Sequence, residues 1–175
     1  MTVRTTSGTG SDGTELGGTL AERQSALVAA LVAGAPLPPG FDARLAGVAR
    51  AALLGKRAGE VARHWPLLAA GLGARWPAEF AGWAADRPTA GSIRDGWDLA
   101  RRLAAEGGLP AAAAEELAVR DAAWHYDGRS APRRRRLPAL RRTRNTLVTQ
   151  IAGRIRIWTL PFPREAKIDS PPATP

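Results

Sequence analysis

Apolar residues recur at the three- and four-residue spacing of amphipathic helices over most of residues 19–126. Start and stop signals divide this stretch into six segments, which open near Thr19, Asp42, Pro66, Pro77, Ser92 and Pro110. Thr19 and Glu22 have the spacing of a capping box, and Gly34 ends the first segment. The pattern predicts a mainly α fold, a bundle of about five or six helices with short connections.

Large apolar side chains on these segments supply the predicted core. On the second helix one face is apolar and is expected to be buried; it carries Leu45, Val48, Ala49, Ala52 and Leu53. Five of the six tryptophans also fall on apolar helical positions and are predicted to be buried: Trp65, Trp76, Trp83, Trp97 and Trp124. Because alanine buries little area, the larger residues must provide much of the hydrophobic stabilisation.

A different pattern follows the helices near the C-terminus. Residues 147–151 and 154–158 flank Ala152-Gly153, an arrangement typical of a hairpin with a two-residue turn. The second run alternates, so that one of its faces carries Arg154, Arg156 and Trp158. The sequence therefore predicts a short C-terminal β-hairpin. An isolated hairpin is only marginally stable in water, so we expect it to dock on the helices or on a partner.

Composition divides the chain into four predicted regions. Residues 1–18 are rich in Thr, Ser and Gly, and we expect a disordered N-terminal tail there, since so few apolar side chains cannot offset the entropy of ordering. The helical domain is predicted over 19–127, and an Arg-rich segment with the hairpin over 128–162. Residues 163–175 are predicted to form a second disordered tail.

Positive charge is concentrated in the last quarter of the chain. Residues 1–128 carry 13 Lys or Arg against 14 Asp or Glu, whereas residues 129–175 carry 12 against 2. This segment can neutralise phosphates, bind an acidic protein surface, or act as a solvated linker that its like charges keep extended. The candidate residues for binding a partner or an anion are Arg133, Arg134, Arg135, Arg136, Arg141, Arg142, Arg144, Arg154, Arg156 and Trp158.

Few residues in the chain have the spacing of a catalytic or metal site. Cysteine is absent, and the two histidines, His64 and His125, occur in no metal-ligand pattern. Asp121 lies near an apolar helix face, where it can pair with an arginine of another helix or mark a docking site. We therefore expect no catalytic residues, no metal and no cofactor, and no small-molecule substrate is evident. Because no secretory signal or long apolar stretch occurs, we expect a cytoplasmic protein without a membrane span.

The order of signals from about Arg44 to Trp124 resembles the bacterial family called "putative DNA-binding domain". The shared features are an aromatic-Pro pair, glycine with aromatic residues, a Pro-Ser helix start and a Glu-Leu-Ala stretch. They correspond here to Trp65-Pro66, Gly73 with Trp76 and Phe80, Pro88 with Ser92, and Glu116-Leu117-Ala118. The chain looks like an actinobacterial branch, with a short Arg-rich segment where the family has a larger β-rich region.

This resemblance implies that the chain is the partner protein of an enzyme. Members are helical partners of DUF692-type multinuclear non-haem iron oxidative enzymes, which modify ribosomally made peptides. The leading hypothesis is thus a non-enzymatic accessory protein that binds a peptide substrate or a partner enzyme through the hairpin and the adjacent helical face. The alternative is a nucleic-acid-binding protein that uses the Arg-rich segment. An anionic membrane surface is a weaker possibility, because the tail has no clear amphipathic helix.

Overall fold

The computed structural model describes residues 19–160, so the two predicted disordered tails lie outside the described residues. The prediction of a mainly α fold is confirmed. Six α-helices occur in this range: α1 (Leu20–Ala33), α2 (Ala43–His64), α3 (Pro66–Leu72), α4 (Trp76–Ala84), α5 (Ser92–Ala105) and α6 (Ala111–Ala123). A 3₁₀ turn, Gly73–Arg75, separates α3 from α4.

Five strands follow α6 and form two antiparallel sheets. A short ribbon pairs β1 (Trp124–His125) with β2 (Arg133–Arg134). The second sheet has the order β3 (Ala139–Arg142), β4 (Thr146–Ile151) and β5 (Arg154–Thr159). The predicted hairpin is present as β4–β5, but it belongs to a three-stranded sheet whose first strand the sequence did not reveal.

Local chemistry accounts for the helix ends. The Thr19 side chain accepts from the Glu22 N–H at 3.3 Å, and the Glu22 carboxylate accepts from the Thr19 N–H at 2.6 Å, which confirms the capping box. Asp42 accepts from the N–H groups of Arg44 and Leu45 at the start of α2. Ser92 is the first residue of α5 rather than its cap, and its hydroxyl lies 3.1 Å from Nδ1 of His64.

Contacts between Cα atoms divide the chain into two compact units. Among the described residues, the first unit contains 19–60 and Pro77–Ala90, and the second contains Val61–Trp76 and 91–160. The domain boundaries expected from composition, at 18/19, 127/128 and 162/163, stay a prediction.

The second unit is built around two tryptophans. Trp65 and Trp97 are 0% and 1% exposed, and their rings meet edge to face at 5.8 Å. The Trp65 indole N–H donates to the Ile93 carbonyl at 3.0 Å. Its ring also packs on Gly96, where any Cβ would overlap the indole, so α5 can approach Trp65 only because residue 96 is glycine.

The first unit has a smaller core. Its buried side chains are Ala30, Ala58, Phe80, Trp83 and Ala84. The guanidinium of Arg57 lies 5.6 Å and 5.7 Å from the ring centroids of Phe80 and Trp83. The side of α2 that carries Ala58 is thus the buried one.

The apolar face expected to bury α2 is exposed, so that prediction was wrong. Leu45, Val48 and Leu53 are 64%, 63% and 44% exposed. Helical geometry places Leu45 and Val48 on the side of α2 opposite Arg50 and Leu54, which are half-buried. The helix has two apolar sides, and periodicity alone cannot tell which of them packs inward.

The sheet formed by β3–β5 packs on α6 through one of its faces. Val148 is fully buried and clusters with Ala118 and Ala122. The Thr146 hydroxyl donates to the Glu115 carboxylate at 2.8 Å, which ties the start of β4 to the helix. The small alanine side chains let the sheet approach α6 closely.

The contact between Gly96 and Trp65 gives a stability prediction. We expect Gly96→Ala to destabilise the protein by about 1–3 kcal/mol, because the added methyl group overpacks the indole. The matched control is Gly55→Ala, since a Cβ at this helical position has no neighbour within 4 Å. It should be neutral or stabilise by up to about 1 kcal/mol. Urea unfolding followed by tryptophan fluorescence measures both; equal stability of the two variants would contradict the packing account.

Candidate interface on the C-terminal sheet

The face of the sheet turned away from α6 combines arginine with large apolar residues. Strand register places these residues in three rows across the sheet: Arg142, Leu147 and Trp158; then Leu140, Thr149 and Arg156; then Ile151 and Arg154. We call this set the outer face. Its opposite, inner face contains Thr146, Val148 and Gln150, which are all buried.

The outer face is exposed although much of it is apolar. Leu140, Ile151 and Trp158 are 59%, 64% and 53% exposed, and the three arginines are exposed beside them. Residues 128–160 include ten arginines and no Asp or Glu, so no acid of this segment neutralises the face. An apolar and cationic surface of this kind suits a partner that presents both carboxylates and apolar side chains.

Strand β5 is an edge strand with exposed side chains on both faces. Ile155 and Ile157 point to the inner side of the sheet, yet they are 37% and 57% exposed. Within residues 19–160, β5 pairs only with β4. Its other edge therefore presents backbone N–H and C=O groups to an incoming strand.

The hydrogen-bond pattern identifies which backbone groups these are. Leu160 donates its N–H to the Asn145 carbonyl at 2.7 Å, so hydrogen-bonded pairs alternate from there along the hairpin. The groups of Trp158, Arg156 and Arg154 then point toward β4. Those that point outward belong to Ile155, Ile157 and Thr159.

The turn of this hairpin has backbone angles suited to a tight two-residue connection. Ala152 and Gly153 have φ of 51° and 78°, the left-handed values of a type I′ turn. Gly153 takes this conformation without strain, whereas Ala152 is an unusual occupant. The turn fixes the register, so Arg154, Arg156 and Trp158 must share the outer face.

Helix α5 fixes the C-terminal end of α6 through the Asp121 carboxylate. Its Oδ1 accepts from the Trp97 indole N–H and from Arg101, both at 2.8 Å. Arg101 also donates to the Tyr126 carbonyl at 3.0 Å. Pairing of Asp121 with an arginine of another helix, one of two alternatives from the sequence, is thereby confirmed.

Tyr126 continues this attachment beyond the helix. It is 4% exposed, and its hydroxyl donates to Asp98 at 2.9 Å. Burial raises the pKa of Asp98, although the hydrogen bond from Tyr126 works in the opposite direction. Burial likewise raises the pKa of Tyr126. Arg94 reaches both the tyrosine ring and the Arg129 carbonyl, so α5 also holds the segment that leads to the sheets.

The first arginine run is partly structural. Arg133 and Arg134 form β2, opposite His125 and Trp124, and the Arg134 guanidinium stacks 4.9 Å from the half-buried Trp124 ring. Arg135 donates from Nε to the carbonyls of Asp121 and Trp124 at 2.9 and 3.1 Å. The Arg134 and Arg135 side chains thus hold the chain on the end of α6, whereas the Arg133 side chain is exposed.

The other candidate residues are distributed around the sheet. Arg136 is exposed in the connection between β2 and β3, and Arg144 is exposed in the turn between β3 and β4. Arg141 lies on the inner side of β3 and is half-buried. The structure thus brings together four of the ten candidates on the outer face: Arg142, Arg154, Arg156 and Trp158.

Four residues of the outer face were missed by the sequence analysis as candidates: Leu140, Leu147, Thr149 and Ile151. Leu140 joins the face because β3 pairs with β4, and β3 follows Pro138 without a clear alternating pattern. The other three lie on β4, which pairs with β5. Only the two-residue spacing of Leu147, Thr149 and Ile151 could have indicated their common face.

Other classes of site were sought over residues 19–160. Within that range no three His, Cys, Asp or Glu side chains come together in a way that could hold a metal ion. A small cavity of about 130 Å³ lies beside His125, Asp127 and Arg133. Among the described helices, none is long and apolar enough to span a membrane.

Comparison with known proteins shows similarity to part of a longer protein. Residues 21–105 match the family described as "SCO6045-like, C-terminal domain". A Streptomyces avermitilis protein named "UPF0276 protein" is 39% identical over 128 residues, which are 73% of this chain and 26% of that relative. The chain therefore spans about a quarter of the length of the curated relative it matches. No solved structure gives a significant match.

The segment leading to the sheets also gives a pH prediction. The Asp127 carboxylate accepts from the N–H groups of Ser130 and Arg129 at 2.7 and 2.8 Å, and these bonds lower its pKa to about 2. A carboxyl whose folded pKa is below its unfolded value, about 3.9, stabilises the fold above that value. The contribution is lost as the pH falls through about 2.

We therefore expect Asp127→Ala to lower stability at pH 6 and to lose less stability than the native chain between about pH 4 and pH 2. Urea unfolding across that range measures the difference, and carboxyl NMR of the native chain locates the titration. A midpoint near pH 4 for Asp127 would contradict the turn geometry.

Proposed function

We propose that this chain is a non-enzymatic accessory protein whose C-terminal sheet binds an extended, acidic segment of a peptide substrate or of a partner enzyme. The observation that carries the proposal is the outer face, where arginine and exposed apolar residues share one surface beside an open sheet edge. A peptide that adds to β5 gains main-chain hydrogen bonds, and its alternate side chains reach the two faces of the sheet.

Charge favours an acidic partner at this edge. Arg154 and Arg156 alternate with Ile155 and Ile157 along β5. A strand that alternates carboxylates with apolar side chains would therefore place its acids beside the arginines and its apolar residues beside the isoleucines. Trp158 adds a flat apolar surface two residues beyond Arg156, on the same face of β5.

Charge also argues against a second copy of this chain at the same edge. Pairing β5 with β5 of another copy would bring four arginines onto one face, and the strands β3–β5 contain no acid to neutralise them. Like charges on neighbouring strands are destabilising. The edge is therefore suited to a chemically different strand.

The comparisons support an accessory role in a different way. The relative has about three quarters of its length outside the aligned segment, and the matching family is described as a C-terminal domain. In that relative, a segment similar to this chain is thus part of a longer polypeptide. The resemblance to partners of DUF692-type enzymes adds the modification of ribosomal peptides, in the cytoplasm, as the proposed setting.

The proposal is tested with a fluorescent ten-residue peptide in which glutamate alternates with threonine and valine. We expect the full chain to bind it, and Arg154→Glu with Arg156→Glu to weaken binding at least about tenfold, because charge-assisted hydrogen bonds are replaced by repulsion. The matched control is Arg63→Glu with Arg75→Glu, which changes the net charge equally at exposed positions away from the sheet. Fluorescence anisotropy measures all three proteins.

Two further probes separate the alternatives. A peptide with lysine in place of glutamate should bind far more weakly to the full chain. The substitution Trp158→Ala should weaken binding of the acidic peptide only. Equal loss of binding in the control variant would contradict a specific site on the sheet. Tighter binding of a single-stranded oligonucleotide than of the acidic peptide would instead favour the nucleic-acid hypothesis, in which Trp158 stacks a base.

A further inference from the structure

The two ends of β5 differ in chemistry. On the outer face the strand presents Arg154, then Arg156 and then Trp158, so it is cationic where it begins and apolar toward its end. Trp158 is 53% exposed and lies opposite the half-buried Leu147 of β4. A strand that pairs with the open edge therefore meets positive charge at one of its own ends and an apolar ring at the other.

Two arginines of the outer face are available to such a strand. Within residues 19–160, the guanidinium groups of Arg154 and Arg156 take part in no hydrogen bond or ion pair, and both side chains are exposed. Arg142 lies on β3, two strands away from β5. At about 4.8 Å per strand, an added strand would be about 14 Å from it, too far for a hydrogen bond to a carboxylate. Of the outer-face arginines, Arg154 and Arg156 therefore carry the recognition of acids.

An antiparallel partner would bring its side chains closest to these residues. Because Arg154, Arg156 and Trp158 direct their backbone groups toward β4, they would form the non-hydrogen-bonded pairs of an antiparallel strand added at the open edge. The Cα atoms of such pairs are about 4.5 Å apart, against about 5.5 Å in hydrogen-bonded pairs. The two existing pairings of this sheet are also antiparallel, and antiparallel pairs are the more stable kind per residue.

We infer that β5 selects an antiparallel peptide in which an apolar residue is followed by acids two and four positions later. From the amino end of this peptide, the apolar residue lies against Trp158, the first acid beside Arg156 and the second acid beside Arg154. The inference rests on the proposed function and deepens it, because it names the order and the direction of the residues that are recognised. Arg154 and Trp158, which lie toward opposite ends of β5, determine that direction.

The positions between these three peptide residues face the inner side of the sheet. Their neighbours on β5 are Ile155 and Ile157, which are 37% and 57% exposed. β-branched residues at these positions would cover the two isoleucines, since such residues pack well as cross-strand neighbours. The recognised segment is therefore five residues long, in the order apolar, β-branched, acidic, β-branched, acidic.

A peptide with the reversed sequence is the matched comparison, since its composition and charge are the same. In the antiparallel arrangement it sets an acid against Trp158 and the apolar residue beside Arg154. A shift by two residues restores both ion pairs, but it leaves Trp158 without an apolar neighbour. In a parallel arrangement, by contrast, the reversed order is the matching one.

The test compares the segment isoleucine-threonine-glutamate-valine-glutamate with its reverse, each flanked by glycine and serine and carrying the same fluorophore. We expect the full chain to bind the forward peptide about three- to tenfold more tightly by fluorescence anisotropy, since only this order satisfies Trp158 and both arginines. Arg154→Trp with Trp158→Arg exchanges the two ends of β5 without changing the net charge, and this variant should prefer the reversed peptide. Circular dichroism should show native melting for the variant.

A spin label on the forward peptide measures the direction of binding on the native chain. A nitroxide at the amino end of the bound peptide should broaden the N–H resonance of Thr159 more strongly than that of Gly153. A nitroxide at the carboxyl end should have the opposite effect. This measurement does not depend on a variant or on a difference in affinity.

The outcomes separate this inference from the proposed function. Equal binding of the two peptides, or tighter binding of the reversed one, would overturn the inference while the peptide site itself stands. An amino-end label that broadens Gly153 more than Thr159 would do the same, as would a variant that keeps the native preference. If neither peptide binds, the proposed function fails and the inference fails with it.

Discussion

The single carboxylate oxygen Oδ1 of Asp121 connects the elements on which the candidate interface depends. It accepts from Trp97 and Arg101 of α5, while the backbone carbonyl of Asp121 accepts from Arg135. One residue on α6 thus joins the aromatic core of the second unit to the start of the Arg-rich segment. Two strong donors stabilise this half-buried carboxylate. Removal of the carboxylate or of a donor would leave the remaining polar group poorly solvated and without its hydrogen-bond partner.

This arrangement gives the arginines of the chain two different tasks. Those nearest the helices, such as Arg101, Arg120 and Arg135, stack on tryptophan or donate to carbonyl groups that helix ends leave without partners. Those on the sheet, Arg154 and Arg156, are held in register by the hairpin turn and remain exposed. Arginine suits both tasks because its guanidinium is flat, permanently charged and rich in donors.

Sequence reasoning found the elements whose signals are local. The capping box at Thr19, the glycine stop at Gly34 and the alternation from Arg154 to Trp158 each depend on a few neighbouring residues, and the structure has all three. It failed where the answer depends on distant contacts. Strand β3 forms because β4 offers a hydrogen-bonding edge, and the side of α2 that packs is decided by Phe80 and Trp83 rather than by its own periodicity.

The division of the arginines could not be predicted from the sequence for the same reason. Arg134 and Arg135 are adjacent to Arg133 and Arg136 in a uniform run, and only the position of Trp124 and the end of α6 gives them structural partners. By contrast, the shared face of Arg154, Arg156 and Trp158 follows from the two-residue period of a strand.

The most direct test of the central claim is amide hydrogen exchange along β5, measured by NMR on the full chain with and without the acidic peptide. Addition of a strand to the open edge predicts that the N–H groups of Ile155 and Ile157, and that of Thr159, exchange rapidly in the free chain and become protected in the complex. The N–H groups of Arg156 and Trp158, already bonded to β4, should change little. Binding of the peptide without new protection at Ile155 and Ile157 would contradict the account.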